Sequence, residues 1–380
     1  MQSKLVDLGK RSGFKVHPVS MGAMRFPADD GEAVRLIRKA IDAGLIYIDT
    51  SRGYGDSEEK LGKALKDGYR EKVILSTKWS PWIKLIEEGD DASAQCMYRR
   101  ICEQLKRLDT EYLDFYQVWN VDKPEHYELA TRQGGMLDGI RRAMKEGLVR
   151  HTGFTTHDEP KNVLRYIEEA HWAEVILFTY NMLNREYKKC IDAAHAKGIG
   201  TIVMNPIGGG MFAEGSGVIK KAVEGVLGEG VSPIEAAHRY LAADENIDTI
   251  ICGITKTYDI ENTLANYAKG PLSQGECRGL EGVMKGLRPE NAGFCTGCGY
   301  CMPCPQGIII PEVMKLVHTG RYLDCLVSAK GPFGWLVAQP GEGRSEYPSK
   351  CIKCGKCEGK CTQRLKIMDE MAWAGANLEK

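Results

Sequence analysis

The chain has 380 residues, of which 43% are hydrophobic and 27% are charged, and this balance excludes an intrinsically disordered protein. Lys and Arg together number 51, as do Asp and Glu, so the formal net charge of zero argues against nucleic acid or an anionic membrane as a partner. No apolar run has the length of a membrane span, and the first residues show no signal-peptide core, so we expect a cytoplasmic protein.

Short apolar segments alternate with amphipathic segments between residues 14 and 268. The strand-like segments are HPVSMG, IYIDTS, VILSTK, YLDFYQVW, VRHTGF, VILFTY, GTIVMN and TIICGI. In the first intervening segment, Val34, Ile37 and Ile41 share one helical face, and Gly44 ends the helix. This alternation predicts an α/β fold of parallel βα units, closed as a (β/α)8 TIM barrel. The alternative is a doubly wound sheet, but no G-x-G-x-x-G motif follows the first strand.

Polar side chains follow two consecutive strands of this predicted barrel. Asp49 and Tyr54 come after IYI, and Lys78 comes after VILST. A Tyr hydroxyl becomes a useful general acid when a neighbouring ammonium stabilises its phenolate, and an Asp beside the Lys would hold that ammonium in place. Each residue alone has an ordinary explanation, such as a helix cap for Asp49, so the three are informative only as a set.

Eight of the 14 cysteines fall into two runs near the C-terminal end. They are Cys295, Cys298, Cys301 and Cys304, followed by Cys351, Cys354, Cys357 and Cys361. Clustered thiols in a reducing compartment indicate metal ligation. The second run has the C-x2-C-x2-C-x3-C spacing of bacterial two-cluster ferredoxins, and the first run is one residue shorter. We interpret them as ligands of two [4Fe–4S] clusters, with zinc as the alternative; the six scattered cysteines are small core residues.

The two patterns divide the chain into two predicted domains. Residues 1–290 would form the barrel, and residues 291–380 would form a small dicluster ferredoxin-like domain. The long insert between the two cysteine runs contains IIIPEVMKLVHTGRYLDCLV, which predicts one or two helices.

Several segments together resemble the aldo-keto reductases over about residues 3–270. These include DTSRGYG, STK, LKRLDTEYLDFYQVW, GLVRHTGFTTHDEP, FTYNMLNRE, GIGTIVMNPIGGGMF and CGITKTYDIENTLA. The chain also resembles the bacterial subgroup whose barrel is fused to a ferredoxin-like segment. The resemblance implies a (β/α)8 barrel and a nicotinamide cofactor bound across its top. The likeness of the cysteine runs to ferredoxins further implies crossed ligation, with Cys361 joining the first three cysteines and Cys304 joining Cys351, Cys354 and Cys357.

The resemblance assigns catalytic roles residue by residue. Tyr54 would be the general acid/base, Lys78 would tune its pKa, and Asp49 would hold Lys78. Trp119 stands in the position of the family's fourth catalytic residue, a His, and an indole can donate one hydrogen bond but cannot titrate. In relatives lacking that His, carbon–carbon double bonds can become substrates.

The expected nicotinamide site departs from the family pattern. Thr155 and Thr156 replace a Ser-Asn pair but could hold the carboxamide, Leu177 replaces a Gln, and Met204 replaces the stacking aromatic. The residues expected around the phosphates and ribose are Pro206, Gly208, Gly209, Gly210, Gly253, Thr255, Lys256 and Asp259. Because Asp259 aligns with the family's 2′-phosphate Arg, we expect NADH to bind at least as well as NADPH.

Several residues at the expected mouth of the barrel have two interpretations. His157 could take part in proton donation or could be a loop residue bonded to a helix N-terminus. Trp82 and Trp79 could form a substrate wall or pack in the core, and the packing interpretation applies equally to Trp119.

These observations predict an oxidoreductase that acts on a small-molecule carbonyl or activated C=C with NAD(P)(H). The clusters would pass electrons to or from an external redox protein, or directly toward the substrate. The alternative is a catalytically silent barrel that acts as an electron-transfer or redox-sensing subunit, as in nucleotide-binding members associated with channels. A third interpretation is that the clusters only pin the C-terminal segment structurally.

Overall fold

The computed structural model describes residues 5–83, 85–288, 295, 297–338, 344–361 and 363–380. Its strands are β1 (Val6–Asp7), β2 (Lys15–Val16), β3 (Val19–Gly22), β4 (Tyr47–Asp49), β5 (Ile74–Trp79), β6 (Leu113–Val121), β7 (Val149–Thr156), β8 (Val175–Thr179), β9 (Gly200–Met204) and β10 (Thr249–Gly253). The helices of the first half are α1 (Asp30–Asp42), α2 (Ser57–Ala64), α3 (Ala94–Arg107), α4 (Pro124–Thr131), α5 (Met136–Lys145), α6 (Pro160–Glu169) and α7 (Lys188–Ala196). The later helices are α8 (Gly217–Leu227), α9 (Pro233–Ala242), α10 (Thr257–Ala268), α11 (Gln274–Gly286), α12 (Ile310–Val317), α13 (Leu326–Val337), α14 (Lys356–Gly359) and α15 (Ile367–Asn377).

Strands β3 to β10 form a closed parallel barrel in which β10 pairs with β3. Each barrel strand corresponds to one of the eight apolar segments, so the predicted (β/α)8 barrel is confirmed. The barrel strands are mostly buried along their length because both faces of a parallel barrel are covered, one by the interior and one by the helices. All carboxyl ends of the strands therefore lie at one end of the barrel, where such folds place their chemistry.

The sequence determines where the first barrel helix, α1, begins and ends. The Asp29 carboxylate accepts a hydrogen bond from the backbone N–H of Glu32, which caps α1 at its N-terminus. One face of the helix, including Ile37 and Ile41, is buried against the barrel. Gly44 follows with a φ of 99°, a conformation that favours glycine, and turns the chain into β4.

A short antiparallel hairpin, which the sequence patterns did not predict, closes the other end of the barrel. It consists of β1 and β2, and Leu8 and Val16 pack with barrel residues such as Phe115 and Ile202. The Asp248 carboxylate accepts hydrogen bonds from Gly9 N–H at 2.9 Å and from Thr201 N–H at 2.8 Å, joining the hairpin to β9. These contacts lie at the beginning of β9, so the hairpin leaves the carboxyl ends of the strands open.

The described chain falls into two compact units. One contains Met1–Pro206 and His238–Pro271, and the other contains Ile207–Ala237 and Leu272–Lys380. These units do not divide the chain at residue 290, and the predicted domain boundary there stays a prediction. Helix α8 belongs to the second unit because it packs on α11, so closely that a Cβ on Gly279 would be 2.7 Å from Val226.

In the cysteine-rich part of the second unit, helices alternate with loops where the structure describes it, and most of the clustered cysteines lie in the loops. Helices α12, α13 and α15 enclose an apolar cluster that includes Val313, Phe333 and Met371, and most of the cysteines of the two runs pack against it. The insert between the runs contains α12, a π-helical turn at His318–Tyr322, and α13. The prediction of one or two helices there is confirmed.

In the ranges that the structure describes, no helix combines the length and the apolar character needed to cross a bilayer.

Candidate active site and cluster sites

Neighbouring strands bring the predicted catalytic residues together at the carboxyl end of the barrel. Asp49 ends β4, Lys78 lies in β5, and Tyr54 is in the loop after β4. That loop is joined to β5, since Thr50 N–H donates to Ser76 O at 2.9 Å and Arg52 N–H donates to Lys78 O at 3.2 Å. The parallel register thus places the loop beside Lys78.

Lys78 is the centre of this group. Its ammonium, which is buried, forms an ion pair with Asp49, donates to Thr50 O at 2.8 Å, and lies 5.0 Å from the centre of the Tyr54 ring. Burial lowers the pKa of Lys78, but Asp49 and Tyr54 outweigh it, so the pKa rises above its ordinary value. Lys78 therefore stays protonated at neutral pH.

Burial is the main influence on the pKa values of Asp49 and Tyr54, the two partners of Lys78. Burial raises the pKa of Asp49, although the neighbouring Lys78 ammonium opposes the rise. Burial also raises the pKa of Tyr54, and Asp49 adds to it, while Lys78 lowers it through charge and a hydrogen bond. The sequence-based expectation was correct about the direction of Lys78's influence, but burial has the larger effect and keeps Tyr54 neutral at ordinary pH.

Trp119 lies directly beside Tyr54. Their rings meet edge to face, with centroids 5.6 Å apart. A Cβ on Gly53 would lie 2.5 Å from the Trp119 ring, so the indole fits there only because residue 53 has no side chain. Sequence reasoning missed Gly53, although its place one residue before Tyr54 was visible.

The backbone around Trp119 departs from regular strand geometry. The register between β6 and β7 shifts between Val118 and Val121, and Asn120 has a φ of 54°. The Trp82 indole N–H donates to Trp119 O at 3.0 Å and to Asn120 O at 2.8 Å, and the Trp82 ring stacks on His126 at 4.2 Å. Trp82 thus supports the irregular end of β6 from the neighbouring loop.

The other aromatic and His expectations have mixed outcomes. Trp79 is completely buried, so it is a core residue, and the expectation that it could form a substrate wall is wrong. His157 is exposed, and its Nδ1 lies 3.2 Å from the Thr179 hydroxyl at the end of β8. That partner is a strand-end hydroxyl, whereas the loop interpretation expected a helix N-terminus.

The Thr155 and Thr156 hydroxyls are buried and bonded within the barrel. The Thr155 hydroxyl accepts a hydrogen bond from Asn120 N–H at 2.7 Å, and the Thr156 hydroxyl donates to Val121 O at 2.6 Å. Both therefore support the bulged end of β6, and this geometry does not favour the carboxamide role. Leu177 is buried in the barrel interior, and Met204 is half-buried at the end of β9.

Asp259 has a structural role at the start of α10. Its carboxylate accepts hydrogen bonds from Thr255 N–H at 2.8 Å, from the Thr255 hydroxyl at 2.7 Å, and from Lys256 N–H at 3.0 Å. The carboxylate thus occupies donors that a phosphate would otherwise use after β10, where Gly253 is exposed. The expectation that NADH binds at least as well as NADPH, which rests on repulsion between Asp259 and a 2′-phosphate, stays a prediction.

The glycine-rich loop after β9 has an uncommon backbone. Gly208, Gly209 and Gly210 have φ values of 62°, 70° and 111°, a run that side-chain-bearing residues would adopt only with strain. The Gly210 N–H already donates to Ile207 O at 3.2 Å, so the N–H groups of Gly208 and Gly209 are the ones that could meet a pyrophosphate. Pro206 is the last residue of the first compact unit, and the three glycines belong to the second.

The eight clustered cysteines surround two cavities in the second unit. The Cys295 cavity, of about 350 Å³ including space open to solvent, is lined by Cys295, Cys298, Cys301 and Cys361. The Cys351 cavity, of about 410 Å³ on the same basis, is lined by Cys304, Cys351, Cys354 and Cys357, with Cys301 as well. Each cavity thus has the four thiols that crossed ligation of two cubanes requires, with Cys301 bordering both, and the donor set fits the group.

The cysteine side chains differ in exposure. Cys298 and Cys354 are exposed, and the other six are half-buried. Burial raises the pKa of the Cys301 thiol to about 11, so its thiolate form needs the positive charge of iron. Among the residues that the structure describes, no three His, Cys, Asp or Glu side chains are grouped as a site for a single metal ion.

The fold and these sites define a barrel protein with an Asp, a Tyr and a Lys grouped at its strand ends, followed by a segment whose cysteines surround two cavities. A model of the aldo/keto reductase family matches residues 18–285, and a model of the 4Fe-4S dicluster domain matches residues 294–366. The chain therefore belongs to the aldo/keto reductase family, a family of NAD(P)-dependent oxidoreductases, and carries a C-terminal 4Fe-4S dicluster domain. The resemblance inferred from the sequence is confirmed.

Individual relatives agree with this assignment. The chain is 26% identical over 257 residues to "Probable aldo-keto reductase 1" from Glycine max, covering 65% of this chain and 69% of that protein. Among solved structures, aldo-keto reductase AKR11C1 from Bacillus halodurans in its holo form superposes with a TM-score of 0.63 at 23% identity, over 74% of this chain and 96% of that chain. Its apo form gives a TM-score of 0.59 at 22% identity, over 74% and 95%. These structures support the fold.

Proposed function

We propose that the barrel catalyses NAD(P)H-linked reduction of a small-molecule carbonyl or activated C=C, or the reverse oxidation, and that the dicluster domain exchanges single electrons with an external redox protein. The observation that carries the proposal is the buried Lys78–Asp49 ion pair beneath Tyr54 at the carboxyl end of the barrel. Bound nicotinamide would supply the hydride. The dicluster domain implies two [4Fe–4S] clusters, which carry electrons one at a time.

Tyr54 would deliver the proton. Its raised pKa keeps the hydroxyl neutral at ordinary pH, so a proton is available for the product oxygen or carbon. The phenolate that remains would be stabilised by the Lys78 ammonium, which Asp49 holds in place. Each reduction consumes one proton, so Tyr54 would regain its proton from solvent before the next turnover.

Trp119 would restrict the substrates. Its indole occupies space beside Tyr54 and can donate only one N–H, without titrating. An oxyanion donor is commonly worth about 2.7–4 kcal/mol, so loss of the family His should make simple aldehydes poor substrates. Activity would then depend on a substrate with its own activating group, such as an enone or a hydroxyketone.

The cofactor would be held by backbone more than by side chains. The N–H groups of Gly208 and Gly209 would suit a pyrophosphate, and in the other compact unit Lys256 is an exposed cation after β10. Thr155 and Thr156 are engaged with β6, which leaves Met204 as the remaining expected contact of the nicotinamide end. The amide end should therefore contribute less binding energy than is usual in the family.

The direct test compares Tyr54→Phe with the wild type in NAD(P)H oxidation driven by a panel of enones and hydroxyketones. Removing a general acid should lower kcat by about 100-fold or more. Tyr69→Phe is the matched control, because its exposed hydroxyl bonds only to Asp42 at 2.9 Å and should leave turnover unchanged. Unaltered turnover in Tyr54→Phe would show that Tyr54 is not the acid.

The silent-barrel alternative makes a different prediction. The anaerobically purified protein would be titrated with NADH and NADPH while the cluster absorbance is followed, with and without the substrate panel. A sensing or electron-transfer subunit would be favoured if the protein binds the nucleotide but no substrate of the panel causes its oxidation. In that case Tyr54→Phe and wild type should give the same titration.

A further inference from the structure

A basic segment surrounds the second cysteine run. Residues 350–366 contain six cationic side chains and one carboxylate, a net charge of +5 in a chain whose formal charge is zero. The cations are Lys350, Lys353, Lys356, Lys360, Arg364 and Lys366, and the carboxylate is Glu358. We call residues 350–366 the basic segment.

The charges of the basic segment face solvent and are mostly not neutralised. All six cationic side chains are exposed. Lys350 pairs with Glu346 at 2.6 Å, whereas the other five have no carboxylate at ion-pair distance among the residues that the structure describes. Glu358 is half-buried and accepts a hydrogen bond from Met368 N–H at 2.9 Å, so its carboxylate is committed to the fold.

The same segment borders the Cys351 cavity. Lys356 and Ile352 line that cavity together with the exposed Cys354, and the Ile352 side chain is 62% exposed. Ile352 is an exposed apolar side chain between two cluster cysteines, with Lys350 and Lys353 close to it in sequence and Lys356 on the same cavity, which suits a small docking face with an apolar centre and a charged rim. A cluster in this cavity would lie close to whatever binds there.

We propose that the basic segment is the docking surface for a small, acidic one-electron carrier protein of the ferredoxin or flavodoxin type, which exchanges electrons with the cluster of the Cys351 cavity. Charge complementarity argues for an acidic partner, because opposite potentials accelerate encounter and orient the two proteins. The proposal rests on the clusters of the proposed function but not on the barrel chemistry. The exchange is a single electron transfer, in which the reduced carrier loses one electron and the dicluster domain gains it, with no bond or proton transferred.

Nucleic acid is the other polyanion that a basic segment could bind. The segment contains no aromatic side chain, which single-stranded nucleic acid would use for stacking. Its cations are instead interleaved with cysteines that line a cavity. The carrier protein is therefore the better match.

The test measures electron transfer from a reduced, acidic plant-type [2Fe–2S] ferredoxin to the anaerobically prepared holoprotein by stopped flow, and binding of the oxidised ferredoxin by calorimetry at low ionic strength. The test variant is Lys353→Glu combined with Lys360→Glu. The matched control reverses two exposed lysines of the same unit outside the basic segment, Lys221→Glu with Lys285→Glu. Reduction by methyl viologen radical, which needs no docking, checks that the clusters are intact.

We expect the test variant to lower the second-order rate with ferredoxin at least tenfold, to weaken its binding, and to flatten the dependence of the rate on ionic strength. The control variant and both viologen reactions should match wild type. Equal rates in wild type and test variant, or equal losses in test and control variants, would each overturn the proposal. So would tight binding of a single-stranded oligonucleotide through the same residues. Tyr54→Phe should leave ferredoxin oxidation unchanged, so failure of the barrel chemistry is distinguishable.

Discussion

Gly53 and Trp119 form a matched pair at the centre of the candidate active site. The Trp119 ring occupies the space into which a side chain at position 53 would project, and it lies edge-on to Tyr54. The backbone of Gly53 does not require glycine through a positive φ, so the requirement comes from the indole. The identity of residue 53 and the orientation of Tyr54 are therefore linked through Trp119.

Gly53→Ala should destabilise the barrel by about 1–3 kcal/mol, because the new methyl group overpacks against the indole. Combining it with Trp119→His should remove most of that cost, since the ring atoms in question disappear. Thermal midpoints of the two single variants and the double variant measure the coupling. Gly282→Ala is the control, because a Cβ there meets no atom within 4 Å. A cost that persists in the Trp119→His background would refute the pairing.

At the scale of elements, Glu214 caps helix α13 from more than 100 residues away in sequence. Its carboxylate accepts hydrogen bonds from Val327 N–H at 2.5 Å and from Ser328 N–H at 3.0 Å, in the first turn of the helix. Ser216 strengthens the same junction, since its hydroxyl donates to Leu323 O at 2.6 Å. A carboxylate at a helix N-terminus satisfies free donors and interacts favourably with the helix dipole.

Glu214→Ala should lower stability by about 1–2 kcal/mol and hasten loss of iron on warming, because α13 packs in the apolar cluster that supports the cysteines. The stability and iron retention of Glu214→Gln should lie between those of wild type and those of Glu214→Ala, because the amide keeps a hydrogen-bond acceptor but carries no charge. The measurement is the amount of iron released as the temperature is raised. Glu229→Ala, at an exposed position, is the reference variant. Equal iron retention in Glu214→Ala and Glu229→Ala would contradict this role of the cap.

The loop before α3 depends on a buried carboxylate. Burial opposes ionisation of Asp90, but the N–H groups of Ile86 and Glu87 together with the Arg100 guanidinium outweigh it and lower the pKa of Asp90 to about 2. Because the folded-state pKa lies below the ordinary value of 3.8, the ionised form stabilises the fold above that pH. The contribution disappears as the pH falls from about 4 toward 2.

Asp90→Asn should therefore cost on the order of 2 kcal/mol at pH 7, with the difference from wild type shrinking toward pH 3. Urea unfolding followed by far-UV circular dichroism at both pH values gives the two differences. Asp67→Asn, an exposed residue paired with Arg38, serves as the control and should show little change at either pH. A difference from wild type that is independent of pH would mean that the charge of Asp90 is not what stabilises the loop.

At the scale of the whole molecule, the chain joins a barrel of the aldo/keto reductase family to a 4Fe-4S dicluster domain. The aldo/keto reductase family uses a cofactor that transfers electrons in pairs as hydride, and dicluster domains transfer them singly. The glycine-rich loop of Gly208–Gly210 belongs to the same compact unit as the cysteines, and Glu214 and Ser216 follow it directly. Within that unit, the loop expected to hold a pyrophosphate is therefore tied to the segment between the two cysteine runs.

The protein purified without oxygen should contain about eight iron and about eight sulfide per chain. Cys298→Ala and Cys354→Ala should each reduce both numbers to about half, because each thiol lines a different cavity. Cys277→Ala, a cysteine of α11, should retain the full content. Iron and sulfide analysis measures the outcome, and zinc without sulfide would exclude the cluster interpretation.

The sequence by itself determined the barrel, the three polar residues at its strand ends and the two cysteine runs. These features depend on short-range information: apolar segments of strand length, helical periodicity as in α1, and thiol spacings of two or three residues. Asp49, Tyr54 and Lys78 were recognisable because they directly follow β-strand segments. Parallel strands bring such positions to one end of the barrel whatever the details of packing.

Only the tertiary structure decided what the remaining side chains contact. The sequence positions of Thr156, Asp259 and Trp79 suggested exposed sites. In the structure, Thr156 is bonded to Val121, Asp259 is bonded to the start of α10, and Trp79 is buried. The fit of Trp119 over Gly53 and the cap that Glu214 provides for α13 join residues 66 and more than 100 positions apart. Such pairings depend on packing between distant segments, for which a single sequence has no local pattern, because burial and hydrogen-bond geometry arise only once the segments meet.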